Sequence, residues 1–251
     1  MICEVWSLGR IAYAEALALQ ERLVDERAHD APDRLLLLEH PPTYTLGTSA
    51  KDEHLLMPSD ERERRGVSVY RVDRGGDITY HGPGQLVGYP IMGLKTPPPV
   101  PECKEGEKSV DEPATSHGEG ARTQSALRVN FVGYVRKLEQ VVIRTLADYG
   151  VTGKPIPGLT GVWVDTPAGE VKIAAIGVKI NVRAVTKHGF ALNLNTDLSY
   201  FEGIVPCGIH DKGVTSLAAL LGHPVHEAEA KRRLVEHFGN VFEREMVYGS
   251  P

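Results

Sequence analysis

The sequence predicts an α/β or α+β domain with a mixed sheet flanked by helices. Three observations carry that prediction. Helical and strand-like periodicities alternate along the chain in the order helix, strands, helix, strands, helix. The 251 residues, 41% hydrophobic and 24% charged, match ordinary globular usage and suffice to bury a large core. No internal repeat breaks the order, so a single domain over 1–251 is expected.

The elements follow in turn. Residues 11–29 place Ile11, Ala14, Leu17, Ala18 and Val24 near helical period with charges between them, which predicts an amphipathic helix. RLLLLEH (34–40) is a continuous apolar run ended by Pro41 and Pro42, and reads as a buried strand. Thr43 to Leu46 continues as an edge strand before Gly47. VSVYRV (67–72) alternates, with Val67 and Val69 on one side, and reads as another strand. GQLVGYPIMGL is strand-like again. From 95 to 125 the chain turns rich in Pro, Gly, Glu and Ser and poor in aliphatics. Such a segment buries too little apolar surface to offset its ordering entropy, so a flexible insertion that splits the domain is expected. A helix over about 130–149 carries Val135, Leu138, Val142 and Leu146 on one stripe. GVWVDT, VKIAAIGVKINVR and HGFALNLN are strand-like runs separated by turn residues, which suggests hairpins. Residues 224–244 return to helix, opened by Pro224, with Val225, Ala228, Leu234, Val235 and Phe238 apolar.

Composition excludes several classes. A formal net charge of −5 does not suit a phosphate backbone, so no nucleic-acid partner is expected. No run approaches 18 continuous apolar residues, so no membrane span is expected. The first residues show no basic stretch before an apolar run and include Glu4 and Glu15, so a cytoplasmic protein is expected. The three cysteines, Cys3, Cys103 and Cys207, are far apart and form no CxxC pair, which supports neither a zinc ribbon nor a disulfide framework.

Three segments carry chemistry. RGGDITYHGPGQLVGYP (74–90) holds five glycines between Arg74 and Gly88. It reads either as a turn-rich hairpin, with His81 in a core hydrogen bond, or as a loop whose N–H groups, with Arg74 and His81, cradle a polar group. It matches no nucleotide-binding glycine motif. In VKIAAIGVKI (171–180), strand alternation puts Lys172 on one face with Ala174 and Ile176. Lys172 is then either a strand-end lysine snorkelling to water or a partly buried amine whose pKa can be moved. In IVPCGIHDKGVTSL (204–217), Cys207 sits between Pro206 and Gly208, with His210, Asp211 and Lys212 nearby. A small buried thiol is the commoner fate of a free cysteine, but the Pro–Gly context favours a reactive loop thiol. Cys3 reads as a packing residue in a strand-like start, and Cys103 as a bystander in the insertion.

RGGDITYHGPGQLVGYP, followed in order by KIAAIGVKI, HGFALNLNTDLSYFEGIVPCGI and GVTSL, closely resembles the lipoyl(octanoyl) transferases, also called lipoate-protein ligase B. The resemblance runs from HPPTYTLG to GVTSL, with a longer 95–125 connection and one extra residue between Lys172 and Cys207. It implies an α/β fold similar to the biotin protein ligase catalytic domain. It implies transfer of an octanoyl group from acyl carrier protein to a lysine of lipoyl domains, those of 2-oxoacid dehydrogenases and of the glycine cleavage H protein. It implies catalysis by Cys207, as acyl-thioester, and Lys172, which tunes the cysteine, with no cofactor or metal. Substrate contacts are implied at Arg74, Gly75, Gly76, Asp77, Ile78, Thr79, Tyr80 and His81, at Ala175, Ile176 and Gly177, and at Gly189, Phe190 and Ala191 after His188. The alternatives are an ATP-dependent lipoate or biotin ligase, which needs no cysteine, and a non-catalytic acyl-carrier or lipoyl-domain binder, which needs neither residue.

Overall fold

The computed structural model describes residues 1–94, 130–205 and 212–251. The insertion at 95–125, with Cys103, and the PCGIHD segment, with Cys207, His210 and Asp211, lie outside the described residues.

In chain order the elements are β1 (Ile2–Arg10), α1 (Tyr13–Ala28), β2 (Asp33–Glu39), β3 (Thr43–Leu46), α2 (Ser59–Arg64), β4 (Ser68–Arg71), β5 (Ile78–His81) and β6 (Gln85–Ile91). There follow α3 (Phe131–Ala147), β7 (Gly153–Ile156), β8 (Leu159–Thr166), β9 (Gly169–Ile180), β10 (Thr186–Asn193), α4 (Leu217–Leu221), α5 (Glu227–Phe242) and β11 (Glu245–Gly249). Eight strands form a mixed sheet in the order β11-β1-β2-β6-β10-β9-β8-β7, and β4-β3-β5 form a second, small sheet. β1 runs parallel to β11 and β2, while β2, β6, β10, β9, β8 and β7 pair antiparallel in succession.

The leucine run of β2 explains its central place. Leu35 and Leu37 enter the core beneath α3 and α5, and Leu36 and Leu38 enter the core beneath α1. A strand covered on both faces is apolar throughout, and each such leucine contributes about 1.5–3 kcal/mol by burial. α3 covers the sheet with Val135, Leu138, Val142 and Leu146, and α5 joins it through Leu234, Val235 and Phe238. Asn130 caps α3, its side-chain oxygen accepting from the Gly133 N–H at 2.8 Å.

Four local readings need correction. α1 buries Tyr13, Ala16, Gln20 and Leu23, while Ala14 and Ala18 are exposed. The larger side chains decide the face, and Gln20 is drawn in because its Oε1 accepts the His188 N–H at 2.9 Å. β3 is not an edge strand: it lies between β4 and β5, buried at all four positions, because the exposed β4 takes the edge. The last helix starts at Glu227, after His226 at its N-cap, so Pro224 lies before it rather than opening it. Ala228 in that helix is exposed, and Ala230 is the residue that packs.

Candidate functional site

The site grows from an irregularity in β9. Lys172 pairs with Trp163 and Ala174 pairs with Val162, so Ile173 is one residue too many. This is a β-bulge, and it turns Ile173 and Ala174 to the same side, into the core under α3. Simple alternation, which grouped Lys172 with Ala174 and Ile176, is thereby overturned. Lys172 instead shares a chamber with Ala175. Gly161 of β8 permits the bulge. Its φ is +123°, and a Cβ there would lie 2.6 Å from the Ala174 carbonyl oxygen. Its N–H points at Oε1 of the buried Glu139, 3.3 Å away.

Lys172 is 6% exposed, so its amine is held inside rather than snorkelling to water. Its Nζ stands 4.7 Å from the centre of the Trp163 ring, a cation–π contact. Its peptide is clamped by the segment that returns after residue 211. The Lys172 N–H donates to the Gly213 carbonyl and the Thr215 N–H donates to the Lys172 carbonyl, each at 2.9 Å. On the other side of the undescribed PCGIHD segment, the Val205 N–H donates to the His54 carbonyl at 2.8 Å. His54 Nδ1 in turn meets Asp77 Oδ2 at 2.6 Å.

The RGG loop joins β4 to β5 and is held from two sides. Arg74 is buried; its Nη2 donates to the Thr45 carbonyl at 2.6 Å and to Thr45 Oγ1 at 2.9 Å. The Gly75 N–H donates to the Val178 carbonyl at 3.1 Å, which fastens the loop to β9. The fit needs Gly177, because a Cβ there would stand 2.9 Å from both Arg74 Cδ and the Gly75 oxygen.

Between this loop, β9 and β10 lies a cavity. Its walls include Arg74, Gly75, Gly76, Asp77, Ile78, Thr79 and His81 from the loop and β5, Ala175, Ile176 and Gly177 from β9, and Gly189, Phe190 and Ala191 from β10. A smaller chamber adjoins it, lined by Gln85, Lys172, Asn193, Phe201 and Val214. The two share Thr79, Ala175 and Ala191 as lining, so these three side chains stand between them. Ala175 and Ala191 face each other across β9 and β10, and their side chains are small. Tyr80 stands apart from the other expected residues. Its ring stacks on Tyr200 at 4.7 Å, inside the core of the small sheet.

Tyr13, Tyr89 and His188 also line the cavity. His188 is buried, adopts φ +61°, and meets Asp73 Oδ1 through Nε2 at 2.7 Å. Burial pushes the imidazoles of His188 and His40 down to about 4. Burial, with help from His40 and Arg74, holds His81 well below its ordinary value. All three rings are therefore neutral near pH 7. Burial opposes ionisation of Asp73, but hydrogen bonds from His188, Lys179 and Lys187 outweigh it and hold its carboxyl below the usual range. Cys3 is fully buried, and burial pushes its thiol up to about 12, so it is a packing residue and no nucleophile. Tyr13 and Tyr89 carried no signal in the sequence, because an aromatic residue at the start of an amphipathic helix or within an apolar strand reads as ordinary packing. Gln85 and Asn193 did carry one: each is a polar residue inside a strand buried at every position or nearly so. Among the described residues no cluster of His, Cys, Asp or Glu could hold a metal, and no helix is long and apolar enough to cross a membrane.

The lipoyl protein ligase A/B catalytic domain model matches residues 12–125 and 114–239. An octanoyltransferase of Solibacter usitatus is 47% identical over 249 residues, spanning 99% of this chain and 96% of its own. One of Chloroflexus aggregans is 46% identical over 240 residues, spanning 95% and 94%. Among solved structures, lipoate-protein ligase A bound with ATP superposes with TM-score 0.71 at 14% identity, covering 100% of this chain and 90% of its own. The bipartite lipoate protein ligase of Thermoplasma acidophilum gives 0.66 at 16% identity, covering 100% and 88%. At those identities the solved structures speak for the mixed α/β fold, while the relatives in sequence speak for the branch. The chain belongs to the octanoyltransferases, acyltransferases of the lipoyl protein ligase A/B catalytic-domain family.

Proposed function

We propose that this protein takes an octanoyl group from acyl carrier protein and passes it to a lysine of lipoyl domains, those of 2-oxoacid dehydrogenases and of the glycine cleavage H protein. Cys207 carries the acyl group between the two, and Lys172 manages charge and protons. The observation that carries this reading is that the cavity walled by the RGG loop and the chamber of Lys172 are neighbours, with Thr79, Ala175 and Ala191 bordering both. An apolar chain lying over Ala175 and Ala191 would bring its carbonyl end toward the amine. The chain returning from the PCG segment, through Gly213 and Thr215, is bonded to the peptide of that same lysine.

The chemistry divides into two substitutions. The Cys207 thiolate attacks the carrier thioester, a new C–S bond forms, and the carrier thiol departs. The acceptor amine, having lost a proton, then attacks the Cys207 thioester, and an amide C–N bond forms as the thiolate leaves. Thioester exchange is nearly isoenergetic, and the amide draws the sequence forward. A free thiol of pKa about 8.5 is only a few per cent thiolate at pH 7, and an ammonium about 4 Å away would supply up to about 4 kcal/mol at an effective dielectric of about 20. The Lys172 ammonium gives its proton to the departing carrier thiolate, and the neutral amine so formed accepts the one shed by the incoming amine. The thioester is already activated, so the scheme uses neither ATP nor a metal.

Intact mass after incubation with octanoyl-acyl carrier protein tests the reading. One octanoyl adduct is expected, on Cys207. Cys207→Ser is expected to abolish both adduct and transfer, because a hydroxyl without a strong base is a far weaker nucleophile. An adduct on Cys3 or Cys103, with transfer retained in Cys207→Ser, would refute it. Formation of AMP from ATP and free octanoate would point instead to the ligase chemistry.

A further inference from the structure

A line of buried hydrogen bonds runs from the substrate cavity to Lys172, and its direction is fixed. The Thr215 carbonyl only accepts, so Asn193 presents Nδ2 to it at 3.0 Å. Asn193 Oδ1 then faces Gln85 Nε2 at 2.9 Å. Gln85 Nε2 also donates to the Tyr80 carbonyl at 3.0 Å, which settles that amide too. Gln85 Oε1 is left to accept from His81 Nδ1 at 2.9 Å. His81 therefore carries its proton on Nδ1, and its Nε2 takes the hydroxyl hydrogen of Thr45 at 3.3 Å. Thr45 Oγ1 accepts in turn from Arg74, from Nη2 at 2.9 Å and Nε at 3.3 Å. Every bond points the same way, from the guanidinium in the cavity wall to Thr215, whose N–H holds the Lys172 carbonyl.

We propose that Gln85 and Asn193 are positioning residues for Lys172. They tie the Gly213–Thr215 segment to β6 and β10, and that segment fixes the bulged peptide from which the Lys172 side chain reaches its place over Trp163. A bulge has lost part of its ladder, so its side chain needs an outside brace. Both amides line the Lys172 chamber, where a half-made polar network would be costly. The same line gives His81 a bracing part: both ring nitrogens are engaged, which leaves it no lone pair for a substrate proton. The inference rests on the proposed role of Lys172 only for its consequence in catalysis.

Trp163 reports the position of the amine directly. The chain has two tryptophans, so Trp6→Phe leaves Trp163 as the sole emitter. In that background Asn193→Asp sets a carboxylate oxygen against the Thr215 carbonyl and breaks the line. The Trp163 emission is expected to move most of the way to that of Lys172→Met. Octanoyl transfer is expected to slow about tenfold or more in kcat, with KM for the octanoyl carrier little changed, since misplacement of a reacting group by about 1 Å is enough. Gln85→Met breaks the line without adding charge, and is expected to give the same emission shift should Asn193→Asp fail to fold. Emission unchanged from the parent in a folded variant overturns the proposal. An emission shift with the parent's transfer rate leaves the positioning intact and overturns the catalytic role of Lys172.

Discussion

At the scale of single residues, lysine and arginine at position 172 separate two tasks that one amine performs. Arginine keeps the positive charge but holds its proton at any working pH, and its planar fork is wider than an ammonium. In Lys172→Arg, Cys207 is still expected to acquire octanoyl, slowly, while discharge to the lipoyl domain fails. Lys172→Ala is expected to slow both halves. Single-turnover mass spectrometry that follows formation and decay of the acyl-enzyme separates the two. Discharge at the parent rate in Lys172→Arg would remove Lys172 as the base. His188 would then be the group to examine, since its Nδ1 is buried in the cavity wall. The buried histidines also make stability depend on pH. His40 and His188 fall from an ordinary 6.5 to about 4 on folding, so between those values the unfolded chain binds more protons. Their contribution is complete above the ordinary value and is lost as pH falls toward the folded one. Asp73 is shifted down, so its contribution is lost only below its ordinary 3.8. The melting temperature is therefore expected to drop between about pH 7 and about pH 4.5. Replacing His40 by Gln should make that drop smaller, whatever it costs at neutral pH. An equal drop in both proteins would show that the imidazole is not the titrating group.

At the scale of elements, the bulge in β9 is the feature on which the site turns. Gly161→Ala puts a methyl group where the Ala174 oxygen stands, at a φ that only glycine adopts without strain. A cost of about 1–3 kcal/mol is expected, seen as a lower midpoint in urea. Transfer per folded molecule should also fall, because relaxing the bulge returns Lys172 to the core face. A variant that loses stability but keeps its transfer rate would show that the bulge is not needed to present the amine. This explains what was legible in the sequence. The aliphatic stripe of α3, the leucines of β2 and the hairpins of β8, β9 and β10 announce themselves by period, and the structure forms each of them. The motif strings also located most of the cavity wall. The side of β9 on which Lys172 lies was not legible, because it depends on a glycine in the neighbouring strand. β11 is an exposed edge strand with no apolar alternation, and α2 and α4 have six and five residues, too short for a helical period to show.

At the scale of the whole molecule, the question is what the chain between β6 and α3 adds. The family model covers the chain in two matches, 12–125 and 114–239, that meet within this segment. We propose that 1–251 is one catalytic domain and that the segment is an appendage to it. The two ends support this. Leu94 is fixed by its N–H to the Ala184 carbonyl at 2.9 Å, and Asn130 is fixed as the cap of α3. Both ends line the same surface groove beside Gly93 and Gly133, so a short connection can rejoin them. Residues 97–122 are polar and rich in Pro and Gly, with little apolar area to bury. Shortening a connection changes closure entropy slowly, by about 0.6 kcal/mol for each halving. Deletion of 97–122 is therefore expected to leave the melting temperature and the rate of octanoyl transfer close to those of the full chain. Thermal melts and transfer assays with both the carrier and a lipoyl domain check this. A fall in melting temperature of many degrees would make the segment part of the core. Weaker binding of one protein substrate alone, with the other unaffected, would make it a docking element and would tie its length to partner choice.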